Sequence, residues 1–404
     1  MKKKWIAVLT AMTIVTTTVA PQAAITAQAA PVTEESIGLL GASTTTGAEK
    51  DSNGDGVSDN GFVYQVSGTT ATITAYRGTA TALTVPLRIE VGASTSGSTA
   101  TTAATYDVTA IGSAAFAGNA GLTTVTMQGG TPTTGSGSSS TATAAVGLQT
   151  IGDRAFYGCP SLTTVTIPAT ATTIGSQAFS DCPALNALNV TAGNQRYISN
   201  DGVLYQYVGY NSGAVGSYNT YTLMQYPSGK TSTTFAVPAS IASRLTAIGQ
   251  GAFAGAQTLT SVTLPETVES IGAEAFRNCS ALTSITIPSK VTNISSYAFS
   301  GCSALATVSI PSTVTSIADG AFQNCYALSA IALPEKLTTI SNSTFYGCSK
   351  LSEVTIPMGV VNIGATAFAY CTSLVKITIP TSVTAIGANA FLGVNGLTMY
   401  CHSG

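Results

Sequence analysis

The stretch CSALTSITIPSKVTNISSYAFSGC runs from Cys279 to Cys302, and its first and last residues stand 23 positions apart. The same interval separates Cys302 from Cys325, Cys325 from Cys348, and Cys348 from Cys371. Working outward on the phenylalanine of this stretch finds Phe116, Phe156, Phe179, Phe253, Phe276, Phe299, Phe322, Phe345, Phe368 and Phe391, the last seven at a constant spacing of 23. Each unit reads L-x-x-I-x-I-P-x-x-V-x-x-I-G-x-x-A-F-x-x-C, which in one copy is Leu282, Ile285, Ile287, Pro288, Val291, Ile294, Ala298, Phe299 and Cys302. A fixed period in this range is the mark of a solenoid, in which each coil is covered by its neighbours.

Local chemistry fills in the coil. The alternation Leu282, Ile285, Ile287 in a β-branched, Thr-rich run predicts a short strand with one buried face. Pro288 cannot donate to a ladder, so it closes the strand and opens a bend. The IG..AF segment is too short for a free helix and predicts one turn of 3₁₀ or α. A lone coil buries too few apolar side chains to offset the entropy of fixing its backbone, so stacking must make it stable.

With its IP/LP turn and IG..AF..C ending, the pattern resembles the BspA-type leucine-rich repeats of secreted bacterial surface proteins. The resemblance covers about residues 61–404. It implies an α/β leucine-rich repeat solenoid, right-handed, of ~23-residue coils, each with one short parallel strand and a short 3₁₀/α turn. FVYQVSGTTATITAYRGTATALTVP (Phe62 to Pro86) looks like the family's amino-terminal cap, within a cap region of 62–110. YISNDGVLYQYV and YTLMQYPSGKT look like the island such arrays carry, here 189–237. The chain departs from the pattern where Ser295, Ala318 and Ser341 replace the glycine and Thr344 replaces an alanine.

The cysteine position is Cys in seven copies (159, 182, 279, 302, 325, 348, 371) and Asn119, Ala256 or Val394 in the others. A position that accepts Ala and Val asks for a small buried side chain, and free Cys serves as one. Five consecutive thiols would leave one unpaired by any pairwise disulfide, and a straight column without histidine does not surround a zinc ion. The cysteines read as packing.

Charged residues are only 8% of the 404 residues, against about 25% in ordinary soluble proteins. From residue 61 onward 11 acidic and 11 basic side chains balance, so no basic stripe for nucleic acid can form. Lys2, Lys3 and Lys4 followed by WIAVLTAMTIV and an A-x-A site at Ala27 and Ala29 read as a secretory signal peptide over 1–29 of bacterial type. Residues 30–60 read as a flexible linker and 129–147 as a Gly/Ser/Thr loop insertion. No later apolar run is long enough to span a bilayer, so the expectation is a secreted protein, associated or not with the cell surface.

Catalysis has little to work with. The single histidine, His402, stands beside Cys401 near the chain end, and Glu266 and Glu335 share a column but lie three coils apart. The expectation is a non-enzymatic chain with no cofactor. DSNGDGVSD (Asp51 to Asp59) matches the first half of a calcium loop, with oxygens on Asp51, Asn53, Asp55 and Asp59, but Phe62 stands where the bidentate Glu belongs. A plain acidic linker is the preferred reading, with calcium binding as the alternative.

Two surfaces carry the binding expectation. The island is dense in tyrosine: Tyr205 and Tyr226 match positions the family's island uses in its core. Tyr207, Tyr210, Tyr218 and Tyr221 are candidates for exposed contact, since amphipathic rings anchor protein and sugar ligands. The outward residues of the strands, among them Thr263, Thr286 and Ser309, form a nearly uncharged hydroxyl ladder suited to extended, weak contact. The family resemblance implies an adhesion or protein/glycan-binding module, with host extracellular-matrix proteins or other cells as partners. The alternative is a structural or accessory repeat module of a larger secreted enzyme or wall protein.

Overall fold

The computed structural model describes residues 48–51, 56–92, 103–130, 147–209 and 220–402. The signal-peptide segment, most of the 30–60 linker, the 131–146 core of the Gly/Ser/Thr insertion, and Tyr210 and Tyr218 lie outside them.

Each regular coil contributes to two parallel ladders, where one strand per coil was expected. The first ladder joins Thr234–Ala236, Ser261–Thr263, Ser284–Thr286 and Thr307–Ser309. The second joins Leu245–Ile248, Ser270–Ile271, Asn293–Ile294 and Ser316–Ile317. Both stack at the 23-residue period, as Ser284 opposite Thr307 and Ile294 opposite Ile317 show. Alternation does the sorting in the first ladder: Val262 and Ile285 point inward while Ser261, Thr263, Ser284 and Thr286 face solvent.

The IG..AF segment is neither 3₁₀ nor α-helix, a correction to the sequence expectation; among the described residues the helix is the single turn Ala239–Ala242. In every coil the residues two before and two after the phenylalanine take positive φ, for instance Glu274 (58°) and Asn278 (60°) around Phe276. Left-handed residues at this spacing cannot belong to a continuous right-handed helix. Alternate N–H groups therefore point in different directions. Ala275, Arg277 and Cys279 donate within the coil, to Gly272, Glu274 and Phe276. Glu274, Phe276 and Asn278 donate to Ser296, Ala298 and Ser300 of the next coil at 2.7–3.0 Å. The turn is thus a third hydrogen-bonded seam, and its buried backbone groups are satisfied without a helix.

Inside, the phenylalanines stack in a column. From Phe253 to Phe391 successive ring centroids stand 4.8–5.8 Å apart with interplanar angles of 2–16°. All eight cysteines are free, and the seven in the repeat column are buried. Each of those thiols also donates to the phenylalanine carbonyl of the preceding coil, as Cys302 does to Phe276 and Cys371 to Phe345 at 3.0–3.1 Å. Burial pushes the Cys279 and Cys371 thiols up to about 12, so they stay protonated and donate.

At the amino-terminal end, Phe62–Ser67 and Thr70–Tyr76 form an antiparallel pair. Thr70–Tyr76 runs parallel to Ala104–Ile111, which passes the ladder on to Thr150–Ile151 and Thr173–Ile174. Between the coils of Phe179 and Phe253 the chain makes an antiparallel excursion, Tyr197–Asn200, Val203–Val208 and Thr220–Gln225. It rejoins the array through Tyr226, which stacks on Phe253 at 5.4 Å and extends the ring column.

Candidate binding surfaces

The first ladder presents Thr263, Thr286 and Ser309 as exposed residues in one row, two strands' pairing apart from end to end. Their hydroxyls sit on a hydrogen-bonded backbone. Thr260 and Thr283, at the strand entrances, donate to Thr233 and Thr260 carbonyls of the preceding coils at 3.0 and 3.1 Å. No charged residue falls within these three strands, so the row offers donors and acceptors without a field. Further along, Glu353 and Lys376 form an exposed ion pair on neighbouring strands, which holds Lys376 above its ordinary value.

The island tyrosines divide differently from the expectation. Tyr205 and Tyr226 are fully buried, as expected of core residues. Tyr221, expected to be exposed, is only 6% accessible: it faces inward from Thr220–Gln225, and Arg244 both covers its ring at 5.2 Å and donates to its hydroxyl at 3.2 Å. Tyr207 is half-buried against Tyr221, ring centroids 5.2 Å apart. The strand alternates cleanly, with Tyr221 on the inward face beside Leu223 and Gln225, and Arg244, just before Leu245–Ile248, closes over the ring.

The structure also exposes tyrosines that the repeat consensus hides. Tyr297, Tyr326 and Tyr370 stand in solvent on the turn side, and Tyr346 meets Tyr370 edge-on at 5.3 Å. They occupy unspecified positions of the unit. The four stand at four different offsets in or beside the Phe–Cys segment, so no single position of the unit reports them.

Of the calcium pattern, Asp51 is buried and turned inward, accepting from Gly56 N–H at 3.0 Å and the Tyr64 phenol at 2.5 Å. Asp59 is exposed, and Asn53 and Asp55 lie outside the described residues. Among the described residues no three His, Cys, Asp or Glu side chains converge as metal ligands.

A charged cluster ties the coils on either side of the excursion. Arg277 is ion-paired with Asp181 and with Glu274 (2.9 Å) and donates to the Tyr157 hydroxyl at 3.0 Å, while Gln177 donates to Glu274 at 3.1 Å. Burial, then the Asp181 carboxylate, raises the Tyr157 phenol above its ordinary value, so it serves as a donor rather than an acid. Residues 157–181 and 274–277 are far apart in sequence, and this cluster joins their coils alongside the Ser180 hydroxyl, which donates to Gln225 at 3.0 Å, and the Ser228 hydroxyl, which donates to the Cys182 carbonyl at 2.6 Å.

Among the described residues no helix is long and apolar enough to cross a membrane. The family model for the BspA type leucine rich repeat region matches residues 135–202, 233–349 and 269–398 in six copies, more than half of the chain. No curated protein matches the chain. Among solved structures, a leucine-rich repeat protein from Eubacterium ventriosum is 24% identical, with a TM-score of 0.48 over 73% of this chain and 70% of that one. A leucine-rich repeat protein from Bacteroides ovatus is 20% identical, with a TM-score of 0.40 over 85% and 98%. The pneumococcal vaccine antigen PcpA is 16% identical, with a TM-score of 0.36 over 87% and 89%. By the repeats it carries, the chain belongs to the BspA type leucine rich repeat family.

Proposed function

We propose that the chain is a non-catalytic adhesion or protein/glycan-binding module, a right-handed solenoid secreted by a bacterium or displayed at its surface. The observation that carries this reading is the first ladder. Its outward residues Ser261/Thr263, Ser284/Thr286 and Thr307/Ser309 are exposed side by side and uncharged. A flat row of short hydroxyls on fixed backbone loses little side-chain entropy on contact, which favours extended partners over small, tight ones. Host extracellular-matrix proteins and the glycans of other cells are the partners this reading selects. Tyr207 at the island's margin supplies a secondary contact.

The test is binding of the purified chain to immobilised matrix proteins and glycans, with and without calcium, beside a triple variant Thr263→Lys, Thr286→Lys, Ser309→Lys. Saturable binding that the triple variant loses is expected. Binding that survives the triple variant moves the site off the ladder, and absence of binding across the panel overturns the reading.

A further inference from the structure

Beside the first strand of that ladder, Thr234–Ala236, lies a pocket of about 190 Å³ between the excursion and the regular coils. Tyr205 and Tyr226 line it, both at most 1% exposed, and among the described residues neither phenol hydroxyl has a hydrogen-bond partner. Burial raises both phenols above their ordinary value, so each is held as a neutral O–H donor. Ser232, on the rim, is near enough to the Tyr226 phenol to ease that rise without reaching hydrogen-bond geometry. Native interiors rarely leave such groups unpaired, and two lining one pocket point to an occupant that accepts from them.

The remaining walls say what kind. Phe235 packs edge-on against Tyr226 at 5.2 Å and supplies an apolar side. At the mouth, Lys230 donates to Asp201 at 3.0 Å; the lysine side chain is 15% exposed and the aspartate 84%. This pair offers one strong donor and one strong acceptor side by side, the arrangement that two adjacent hydroxyls satisfy together. Because Asp201 already balances Lys230, a further anion would have to displace it. The volume is below the ~300–1,000 Å³ of drug-sized sites and admits one ring.

We propose that this pocket binds a single neutral pyranose unit of a glycan, its ring face against Phe235, two hydroxyls on the Lys230–Asp201 pair, and acceptor oxygens toward Tyr205 and Tyr226. The proposal rests on the binding reading above and specifies its ligand: a sugar seated here has the rest of its chain running onto Thr234 and the hydroxyl row that Ser261 and Thr263 continue.

Saturation-transfer NMR with methyl glycosides of glucose, galactose, mannose and N-acetylglucosamine tests it on the full chain, with glucuronate and inorganic sulfate as anionic arms. At least one neutral glycoside is expected to bind saturably in the millimolar range, and Tyr226→Phe and Lys230→Met each to weaken it tenfold or more. Tyr226→Phe and Tyr205→Phe, which delete one hydroxyl each, are expected to leave the melting temperature of the sugar-free protein unchanged or higher. Binding of the anions alone, no binding of any glycoside, or full binding by both phenylalanine variants would overturn it. So would a lower melting temperature in both phenylalanine variants without any sugar bound, the result expected if water alone satisfies the phenols. Loss of panel binding in the ladder triple variant, with no glycoside bound here, would sink the pocket and leave the module reading standing.

Discussion

Two coil junctions built from one consensus differ in how they close. Between the coils of Phe345 and Phe368, Gly364 donates to Ile340 at 2.7 Å and Val361 to Thr338 at 2.9 Å, and Thr339–Ile340 pairs with Asn362–Ile363. Between the coils of Phe322 and Phe345 the glycine is Ser341. Its hydroxyl, not its N–H, donates to Ile317 at 2.6 Å. There both ladders stop, since neither Thr307–Ser309 nor Ser316–Ile317 pairs with the following coil, and the ring spacing is the widest of the column at 5.8 Å; at the next junction the first ladder resumes with the single Ala330–Glu353 bridge. Ser295 does the same two coils earlier, its hydroxyl on Ile271 at 2.6 Å, and only Ile271 opposite Ile294 remains paired there. Ala318 shows that a Cβ alone is not the cause. Lacking a hydroxyl, it keeps its N–H bond to Ile294 at 2.9 Å and a two-residue pairing. A side-chain donor that competes for the carbonyl opens the ladder.

The sharpest break of this comparison is to put bulk where glycine closes a good junction. A Cβ at Gly364 would lie 2.6 Å from the Asn342 nitrogen, and the backbone on the other side cannot swing away as a side chain could. Gly364→Val is expected to destabilise by about 3 kcal/mol, at the upper end of overpacking costs, since the clash is with main chain. Chemical denaturation checks it. A loss under about 1 kcal/mol would mean the coils slide apart at little cost, and that close approach at glycine is not what sets the spacing.

The reverse change sharpens it. Ser341→Gly is expected to restore the backbone bonds from residues 341 and 338, worth about 1 kcal/mol net after the lost hydroxyl bond and glycine's extra entropy. Native-state thiol labelling gives a local reading of the same junction. Cys401 is exposed and reacts at once, whereas the buried thiols react only when coils open. Cys325 and Cys348, on either side of the loose junction, are expected to label about tenfold faster than Cys371, whose junctions are closed by Gly364 and Gly387, and Ser341→Gly to remove most of that difference, as a change of about 1.4 kcal/mol in opening would. Uniform labelling of the column would show that the solenoid opens as one unit.

Much of this was legible in the sequence, and the limits are physical. The period, the ring column, the inward Val262 and Ile285, and the role of the cysteines as small buried fillers follow from spacing and side-chain volume. The thiol donation to Phe carbonyls was not foreseen, because filler and weak donor ask for the same residue. The turn was misread as helical because propensity was weighed without the left-handed positions. Yet Gly118, Gly158, Asp181, Gly255, Asn278, Gly301, Asn324, Gly347 and Gly393, two after the phenylalanine, carry the signal in plain view. Of the candidate sites, the Thr263–Thr286–Ser309 row could be placed from strand alternation alone. The same alternation puts Tyr221 on the inward face with Leu223, against the expectation of exposure, whereas the pocket of Tyr205 and Tyr226 joins residues that no local pattern relates.

Tyr370 is the exception in that left-handed series and the smallest test of the comparison. It holds φ 60° where the other coils place Gly, Asn or Asp, and its ring lies over Gly393, where a Cβ would meet Tyr370 Cδ1 at 2.9 Å. A non-glycine residue in this region costs roughly 1–2 kcal/mol, less for Asn, whose short amide bonds locally. The neighbouring coil compels the conformation, because Tyr370 N–H donates to Leu392 at 2.6 Å and Gly347 N–H to Ala369 at 2.8 Å. Tyr370→Asn is therefore expected to stabilise the fold by about 0.5 kcal/mol, the relieved strain being partly offset by loss of the Tyr346 ring contact. A melting temperature that falls instead would mean the exposed ring contributes more through Tyr346 and Gly393 than its backbone loses. The turn-side tyrosines would then belong to the structure's own packing rather than to a surface kept for partners.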